Sequence, residues 1–418
     1  MSAALTKPPS TEALPGRGRN LTLALIAFAV TFWAWNMIGP IGVRYAEDLD
    51  LSPTQLSMAI ATPVLVGSAG RIVTGALTDR FGGRIMFTVL TAVSAVPVLL
   101  VMLAGEVASY PLLLVFGFIL GIAGTTFAVG IPFVNAWYDP RKRGFATGLF
   151  GAGMGGTALS AFFTPRLITS IGYVWTHLLI AVALLVVAAI VWFGMRDSPA
   201  WRANRESVLP KLERAARLTV TWQMAFLYGV TFGGFVAFST YLPTYLREVY
   251  GFDLTGAGAR TAGFAIAAVV ARPIGGWLSD RFGPALITGI SLAGAAVFAV
   301  VIALQPPPEL LAGATFIAMA VFLGLGTGSV FAWVAQRAPA ASVGSVTGIV
   351  GAAGGFGGFF PPLVMGATYD AETHSYTVGL ILLCITASVA FVFTVYLSRR
   401  RNAPDPSPAG PAQAAAQP

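Results

Sequence analysis

The chain has 418 residues, 56% hydrophobic and only 10% charged, with a formal net charge of +8 and a mean hydropathy of +0.77. A soluble chain carries about 25% charged residues. Here the charges are too few to clothe a water-exposed surface, which excludes a soluble helical protein. Cys384 is the single cysteine, so an internal disulfide is excluded too.

Residues 1–20 are polar and rich in Pro and Gly, and read as an N-terminal tail. No cleavable leader is expected, because the apolar run behind them is full length. Six runs of about 20 residues or more, enough to cross a bilayer, then lie near 21–43, 56–77, 86–104, 110–137, 145–168 and 173–195. They predict an N-terminal six-helix bundle over 21–195. The stretch 196–219 is the longest polar interruption and reads as a linker, partly helical along the membrane surface. Six more runs lie near 220–246, 258–278, 285–304, 309–335, 343–367 and 375–397 and predict a second bundle over 220–397. The tail 398–418 is low in complexity and is expected to be disordered.

The basic residues follow this topology, which argues against nucleic acid as a partner. With the N-terminus inside, cytoplasmic ends and loops hold 19 of the 25 Lys and Arg. Among these are the Arg141-Lys142-Arg143 cluster, six residues from Arg196 to Arg217, and Arg399 to Arg401. Outer loops hold four: Arg44, Arg166, Arg247 and Arg260. The asymmetry places both termini in the cytoplasm. With 22 Arg against 3 Lys, the composition points to a GC-rich bacterial source, and so to a bacterial inner membrane.

The two remaining cations, Arg71 and Arg272, sit inside apolar runs with the same surroundings. Residues 71–82 read RIVTGALTDRFG and 272–283 read RPIGGWLSDRFG, at a constant offset of 201. TGLFGAGMGG (147–156) pairs with TGIVGAAGGF (347–356) at an offset of 200. A duplicated chain implies a pseudo-twofold axis along the membrane normal and a site between the halves. Each arginine precedes an aspartate, Asp79 or Asp280, by eight residues. At 1.5 Å per residue that is about 12 Å inside the boundary, near the middle of a core of about 30 Å. The cores of the twelve runs hold no Asp or Glu. Two unpaired guanidiniums in a dry site need a negative partner from outside the chain, and a planar oxyanion can take bidentate hydrogen bonds from both. Separate capping by helix carbonyls is the structural alternative. His177 and His374 lie near outer ends, no cluster has metal-ligand spacing and no phosphate loop is present, so neither an enzyme nor a cofactor is expected.

The run from Gly75 through Asp79 and Arg80 to Arg84, with its partner Gly276, Asp280 and Arg281, resembles the loop motif of the major facilitator superfamily. The resemblance covers essentially the whole chain and implies an all-α integral membrane fold of twelve transmembrane helices in two six-helix halves. The chemistry of these seven residues suits a gate; the alternative is that they only anchor the loops. The small glycines suit close helix contact, and the aspartates suit charged contacts that form in one state and break in another. The strings GLFGAGMGGTALSAFFTPRL (148–167) and VTGIVGAAGGFGGFFPPLVMG (346–366) are similar to the two signatures of the nitrate/nitrite porter family. That resemblance implies an oxyanion site of Arg71 and Arg272, with Phe127, Tyr228 and Phe232 as aromatic walls and the signature residues Gly151, Gly351 and Gly354 beside them. The first signature normally carries a substrate-binding asparagine where this chain has Met154. Asn135 and Asn36 are the alternative polar groups.

The expectation is therefore a secondary transporter of a small inorganic oxyanion, nitrate or nitrite, acting as a monomer in the lipid bilayer. Exchange is favoured over proton symport, because no buried carboxylate offers a relay. A carrier of small carboxylates and a non-transporting anion sensor are the rival readings.

Overall fold

The computed structural model describes residues 14–138, 143–199, 201–203, 208–308, 310–339 and 342–399. Most of the N-terminal tail, Arg141 and Lys142, Arg205 in the linker and the C-terminal tail from 400 lie outside the described residues. Among those described, every regular element is helical, apart from one antiparallel bridge between Asp370 and Ser375.

The chain crosses as α1 (Arg17–Leu49), α2 (Pro53–Phe81), α3 (Gly83–Glu106), α4 (Tyr110–Trp137), α5, α6 (Tyr173–Gly194), α7 (Thr219–Tyr250), α8 (Leu254–Phe282), α9 (Pro284–Ala303), α10 (Leu310–Arg337), α11 (Val343–Ala367) and α12 (Thr377–Arg399). Eleven of these carry a helical stretch long and apolar enough to span a membrane. The twelfth, α5, is built of Arg143–Gly151, a 3-10 turn Ala152–Gly155 and Gly156–Ile171. Twelve crossings return the chain to the face from which it started, so the described ends of the chain and the linker share one side. The linker carries a short helix, Val208–Ala216.

Local chemistry sets the limits of the two arginine-bearing helices. A capping box closes the start of α2: Gln55 donates its backbone N–H to Ser52 Oγ and its side chain accepts from Ser52 N–H, with Pro53 as first helical residue. Asp253 caps α8 by accepting from the N–H groups of Thr255 and Gly256. Both helices end on a motif glycine in the positive-φ region, Gly82 at 86° and Gly283 at 92°. A side chain there would be strained, so the glycines permit the tight turn into α3 and α9.

The outer surface is apolar: Phe193 is 81% exposed, Trp175 66% and Val392 65%. In water such a surface would aggregate; in lipid it is the solvated surface. The interior holds α7, the most enclosed crossing, with 78% of its spanning window buried.

The halves meet on the side away from the linker. Ser57 of α2 donates to Tyr241 of α7 at 3.1 Å, and Arg247 pairs with Glu47 at 3.0 Å. There too, a Cβ on Gly366 would collide with Ser57, one on Gly39 with the Thr240 carbonyl, and one on Gly258 with the Ala161 carbonyl. On the linker side of the arginines, neither Asp79 nor Asp280 makes an ion pair with another described residue.

Candidate functional site

Arg71 of α2 is buried, 3% exposed, and its guanidinium crosses to the opposite half. Nη1 donates to the carbonyl of Gly351 on α11 at 2.9 Å, and Nε reaches the Gly124 carbonyl at 3.5 Å. Nη2 is buried without a hydrogen-bond partner. Arg272 of α8 makes the mirrored reach. Its Nη1 closes on the thioether of Met154 in α5, and Nη2 approaches the Tyr228 hydroxyl at 3.4 Å. Each arginine thus touches the fifth helix of the other half. No described carboxylate forms an ion pair with either one.

Aromatic faces enclose the cations. The Arg71 Cζ lies 5.2 Å from the Phe127 ring centre and 5.5 Å from that of Phe232. The Arg272 Cζ lies 5.7 Å from the same Phe127 ring and 5.7 Å from Phe331. All four are cation–π contacts. Because both guanidiniums border one ring, their carbons are no further apart than the sum of their distances to it. Phe127 and Phe232 face each other with centres 6.5 Å apart and planes inclined by 23°. A planar guest between two carbon faces needs about 7–8 Å, twice an optimal contact. The rings therefore sit slightly closer than an occupied sandwich. Tyr228 stacks on Phe232 at 5.0 Å with an interplanar angle of 4°, which aligns its hydroxyl with Arg272.

Backbone breaks place these groups. In α4 the 3-10 turn Gly121–Thr125 immediately precedes Phe127, and in α5 the 3-10 turn Ala152–Gly155 contains Met154. Short 3-10 stretches inside helices are sites of bending. The corresponding helices of the other half, α10 and α11, run unbroken. Behind Phe127, Phe28 and Phe150 fill the bundle with centres 5.7 and 6.4 Å away. Gly354 allows Tyr228 its position, since a Cβ there would lie 2.3 Å from Tyr228 Cδ1.

The structure thus brings together Arg71, Arg272, Phe127, Tyr228, Phe232, Met154, Gly151, Gly351 and Gly354. A Cβ on Gly151 would stand 3.8 Å from Arg272 Cζ, and one on Gly351 would stand 3.8 Å from Phe127. Asn36 is turned to the Thr157 carbonyl at 3.5 Å and is not among the contacts of either arginine; nor is Asn135. Sequence reasoning missed Phe331, which packs edge-on against Tyr228 at 4.5 Å. Its position on the fourth helix of its half, facing the arginine of that half as Phe127 faces Arg71, is the signal that could have found it.

The motif residues form a second cluster at the linker-side ends of α2 and α8. Arg84 donates from Nε to the Trp192 carbonyl at 3.0 Å and lies 4.6 Å over the Trp192 ring. Its backbone N–H donates to Asp197 Oδ1 at 3.1 Å, so Asp197 caps the start of α3. Burial pushes the Asp197 carboxyl above its ordinary range, against the opposing pull of those N–H groups and the Arg84 charge. Arg80 and Arg281 lie over their neighbours Phe81 and Phe282 at 5.4 and 5.5 Å. The expected close contact at the motif glycines is not seen: a Cβ on Gly75 or Gly276 would meet nothing within 4 Å. The tight approach near Gly276 comes from the glycine of a neighbouring helix, Gly328, whose Cβ would collide with the Arg272 carbonyl.

The model of the Major Facilitator Superfamily matches residues 24–362 and 254–418. A probable nitrate/nitrite transporter NarK2 of Mycobacterium tuberculosis is 60% identical over 92% of this chain and 97% of its own length. The chain belongs to the nitrate/nitrite porter family of the major facilitator superfamily. A nitrite extrusion protein of Bacillus subtilis is 34% identical over 90% of this chain and 94% of its own length. Among solved structures, a bacterial homologue of the human lysosomal transporter Spinster, inward-facing and occupied, superposes with a TM-score of 0.70 at 18% identity. It covers 93% of this chain and 98% of that one, and supports the fold.

Proposed function

We propose that this chain carries nitrate and nitrite across the bacterial inner membrane by alternating access, with both termini in the cytoplasm. The bundles 21–195 and 220–397, joined by the linker 196–219, rock about a site between Arg71 and Arg272. One observation carries the assignment of the site: two guanidiniums border one phenylalanine ring, one of them with an unshared buried N–H group, and no described carboxylate pairs with either. Buried charge without a counterion is costly. A flat anion entering between Phe127 and Phe232 supplies that charge and accepts from both forks. Tyr228 orients Arg272, and Gly151, Gly351 and Gly354 keep the walls close. Gly75, Asp79, Arg80, Arg84, Gly276, Asp280 and Arg281 act as the gate on the linker side, making charged contacts when the halves close there.

Exchange of nitrate for nitrite fits this site better than proton symport, because a proton would need an ionisable group beside the anion. Purified protein in liposomes tests both readings. Saturable nitrate uptake driven by internal nitrite, with no stoichiometric alkalinisation outside, is the expected result. Uptake that needs a pH gradient overturns exchange, and anion binding with no flux overturns transport. The thioether of Met154 on Arg272 is a weak acceptor that a carboxylate could also displace. Small carboxylates therefore belong in the competition panel; displacement of nitrate by acetate at equal concentration overturns the oxyanion assignment.

A further inference from the structure

A second cavity system lies outside the substrate site, on the lipid-facing flank of the C-terminal half. A groove of about 540 Å³ runs between α7, α11 and α12. Its walls are almost wholly apolar, with Phe226, Phe238, Phe356, Phe360 and Leu383 among them. Its floor is formed where glycines let α7 and α11 touch: a Cβ on Gly357 would collide with the Gly229 carbonyl. Toward the linker the groove adjoins a second hollow of about 570 Å³, the two sharing Trp222 and Phe226 as walls. The character of the wall changes there. Arg217 and Gln223 line the second hollow, and Trp222, 60% exposed, donates from Nε1 to the Ala216 carbonyl at 2.8 Å. A tryptophan held in this way marks the membrane–water interface.

The system is therefore a long apolar slot with one cationic, hydrogen-bonding mouth at interface depth. Such an arrangement matches a molecule with a hydrocarbon chain and an anionic head. The short helix Val208–Ala216, which ends just before Arg217, carries two more basic residues, Lys211 and Arg214. Arg217 pairs there with Glu213, but both side chains are largely exposed, at 76% and 63%. An exposed pair of this kind holds weakly, so its guanidinium remains able to donate to a phosphate. We propose that the groove binds one anionic phospholipid of the linker-side leaflet, an acyl chain between α7, α11 and α12 and the phosphate at Arg217 and Gln223. The floor of the groove is the back of the substrate site, since Gly229 follows Tyr228 and Ala353 precedes Gly354 in sequence.

Native mass spectrometry of the full-length protein in detergent tests this, with phosphatidylglycerol or phosphatidylcholine added. A basic residue at a membrane surface favours an anionic lipid by about 1 kcal/mol, or about fivefold. The wild type is expected to retain phosphatidylglycerol about fivefold better than phosphatidylcholine. Arg217→Gln removes that preference, and Thr386→Trp, which fills the groove from α12, lowers retention of both lipids. Equal retention of the two lipids by the wild type overturns the proposal. So does a full preference in Arg217→Gln, an exposed position where folding is not at risk. Undiminished phosphatidylglycerol in a folded Thr386→Trp protein overturns the acyl-chain site.

Discussion

Arg71→Lys keeps the charge at the centre of the bundle and removes the fork. In the wild type Nη1 is committed to the Gly351 carbonyl while Nη2 is buried and unshared. A planar fork can therefore hold the backbone of α11 and an anion oxygen at once. The lysine ammonium is a single nitrogen on an unbranched stem and cannot occupy both places. Whichever partner it keeps, one hydrogen bond to a charged group is lost, at about 1.5–3 kcal/mol. With 1.4 kcal/mol per tenfold, the half-saturation concentration for nitrate rises by about tenfold to a hundredfold. Cation–π contacts to Phe127 and Phe232 weaken as well, which places the outcome toward the upper end. The assay is nitrate uptake into liposomes loaded with nitrite, over a range of external nitrate, with the amount of inserted protein measured in parallel. A half-saturation value within threefold of wild type refutes the reasoning, because it means that the unshared N–H group never meets the substrate.

Gly354→Ala sets a methyl 2.3 Å from Tyr228 Cδ1 and 3.0 Å from Phe232 Cδ1. Overpacking of this kind costs about 1–3 kcal/mol and here displaces the site's own walls, so uptake falls at least tenfold, whereas Gly348→Ala on the same helix, where the added methyl meets nothing within 4 Å, stays near wild type in the same liposome assay. Met154→Asn replaces a thioether on Arg272 by an amide able to donate to a third oxygen. One such bond is worth about 0.5–1.5 kcal/mol, and competition between labelled nitrate and nitrite is expected to shift about twofold to tenfold toward nitrate. Asp197→Asn keeps an oxygen acceptor for the Arg84 N–H while removing a carboxylate whose folded pKa is raised by burial. A raised pKa means that the wild type gains stability as pH falls and loses it as pH rises through the folded value. The variant is therefore expected to melt at or above the wild-type temperature at pH 7, by a margin that shrinks as pH falls toward the carboxylate range; a margin that grows on acidification contradicts this. Asp197→Ala, without an acceptor, costs about 1 kcal/mol as a lost cap.

Much of the fold was legible because its signals are long-range in sequence and strong in chemistry. A charge inside an apolar run stands out, and its recurrence with RFG beginning nine residues on marks α2 and α8 as equivalents. The apolar length of the crossings was likewise legible in the runs themselves. The breaks in α4 and α5 were not. Their windows, GIAGT and AGMG, are rich in small residues, and whether such a window bends depends on what packs against it rather than on its own sequence. The glycine-rich α11 carries GAAGGFGG and stays helical throughout. The motif glycines Gly75 and Gly276 are a related case: a Cβ on either meets nothing within 4 Å, so the close contact expected of them is absent from this arrangement of the helices. Phe331 was missed because an aromatic in an apolar helix does not itself reveal its face, and only the equivalence of α10 with α4 points to it.

The two arginines do more than hold charge. Arg71 joins the first half to α11 through Gly351, and Arg272 joins the second half to α5 through Met154. These are crosswise contacts at the same depth, related by the pseudo-twofold axis, and each uses a guanidinium N–H that an anion would also seek. The partners are weak rivals for it: a carbonyl that is neutral, and a thioether that accepts poorly. On the proposed site, an oxyanion between Phe127 and Phe232 would compete with the cross-links between the halves while neutralising the repulsion between the cations. Distal contacts such as Ser57 with Tyr241 and Arg247 with Glu47 are in place, whereas Asp79 and Asp280 have no described ion-pair partner. An anion bound between Phe127 and Phe232 would alter the central links, and the bends at Gly121–Thr125 and Ala152–Gly155 lie beside the residues that would feel it first. Motion is accordingly expected to begin in α4 and α5 of the N-terminal half, since their counterparts α10 and α11 have no comparable break.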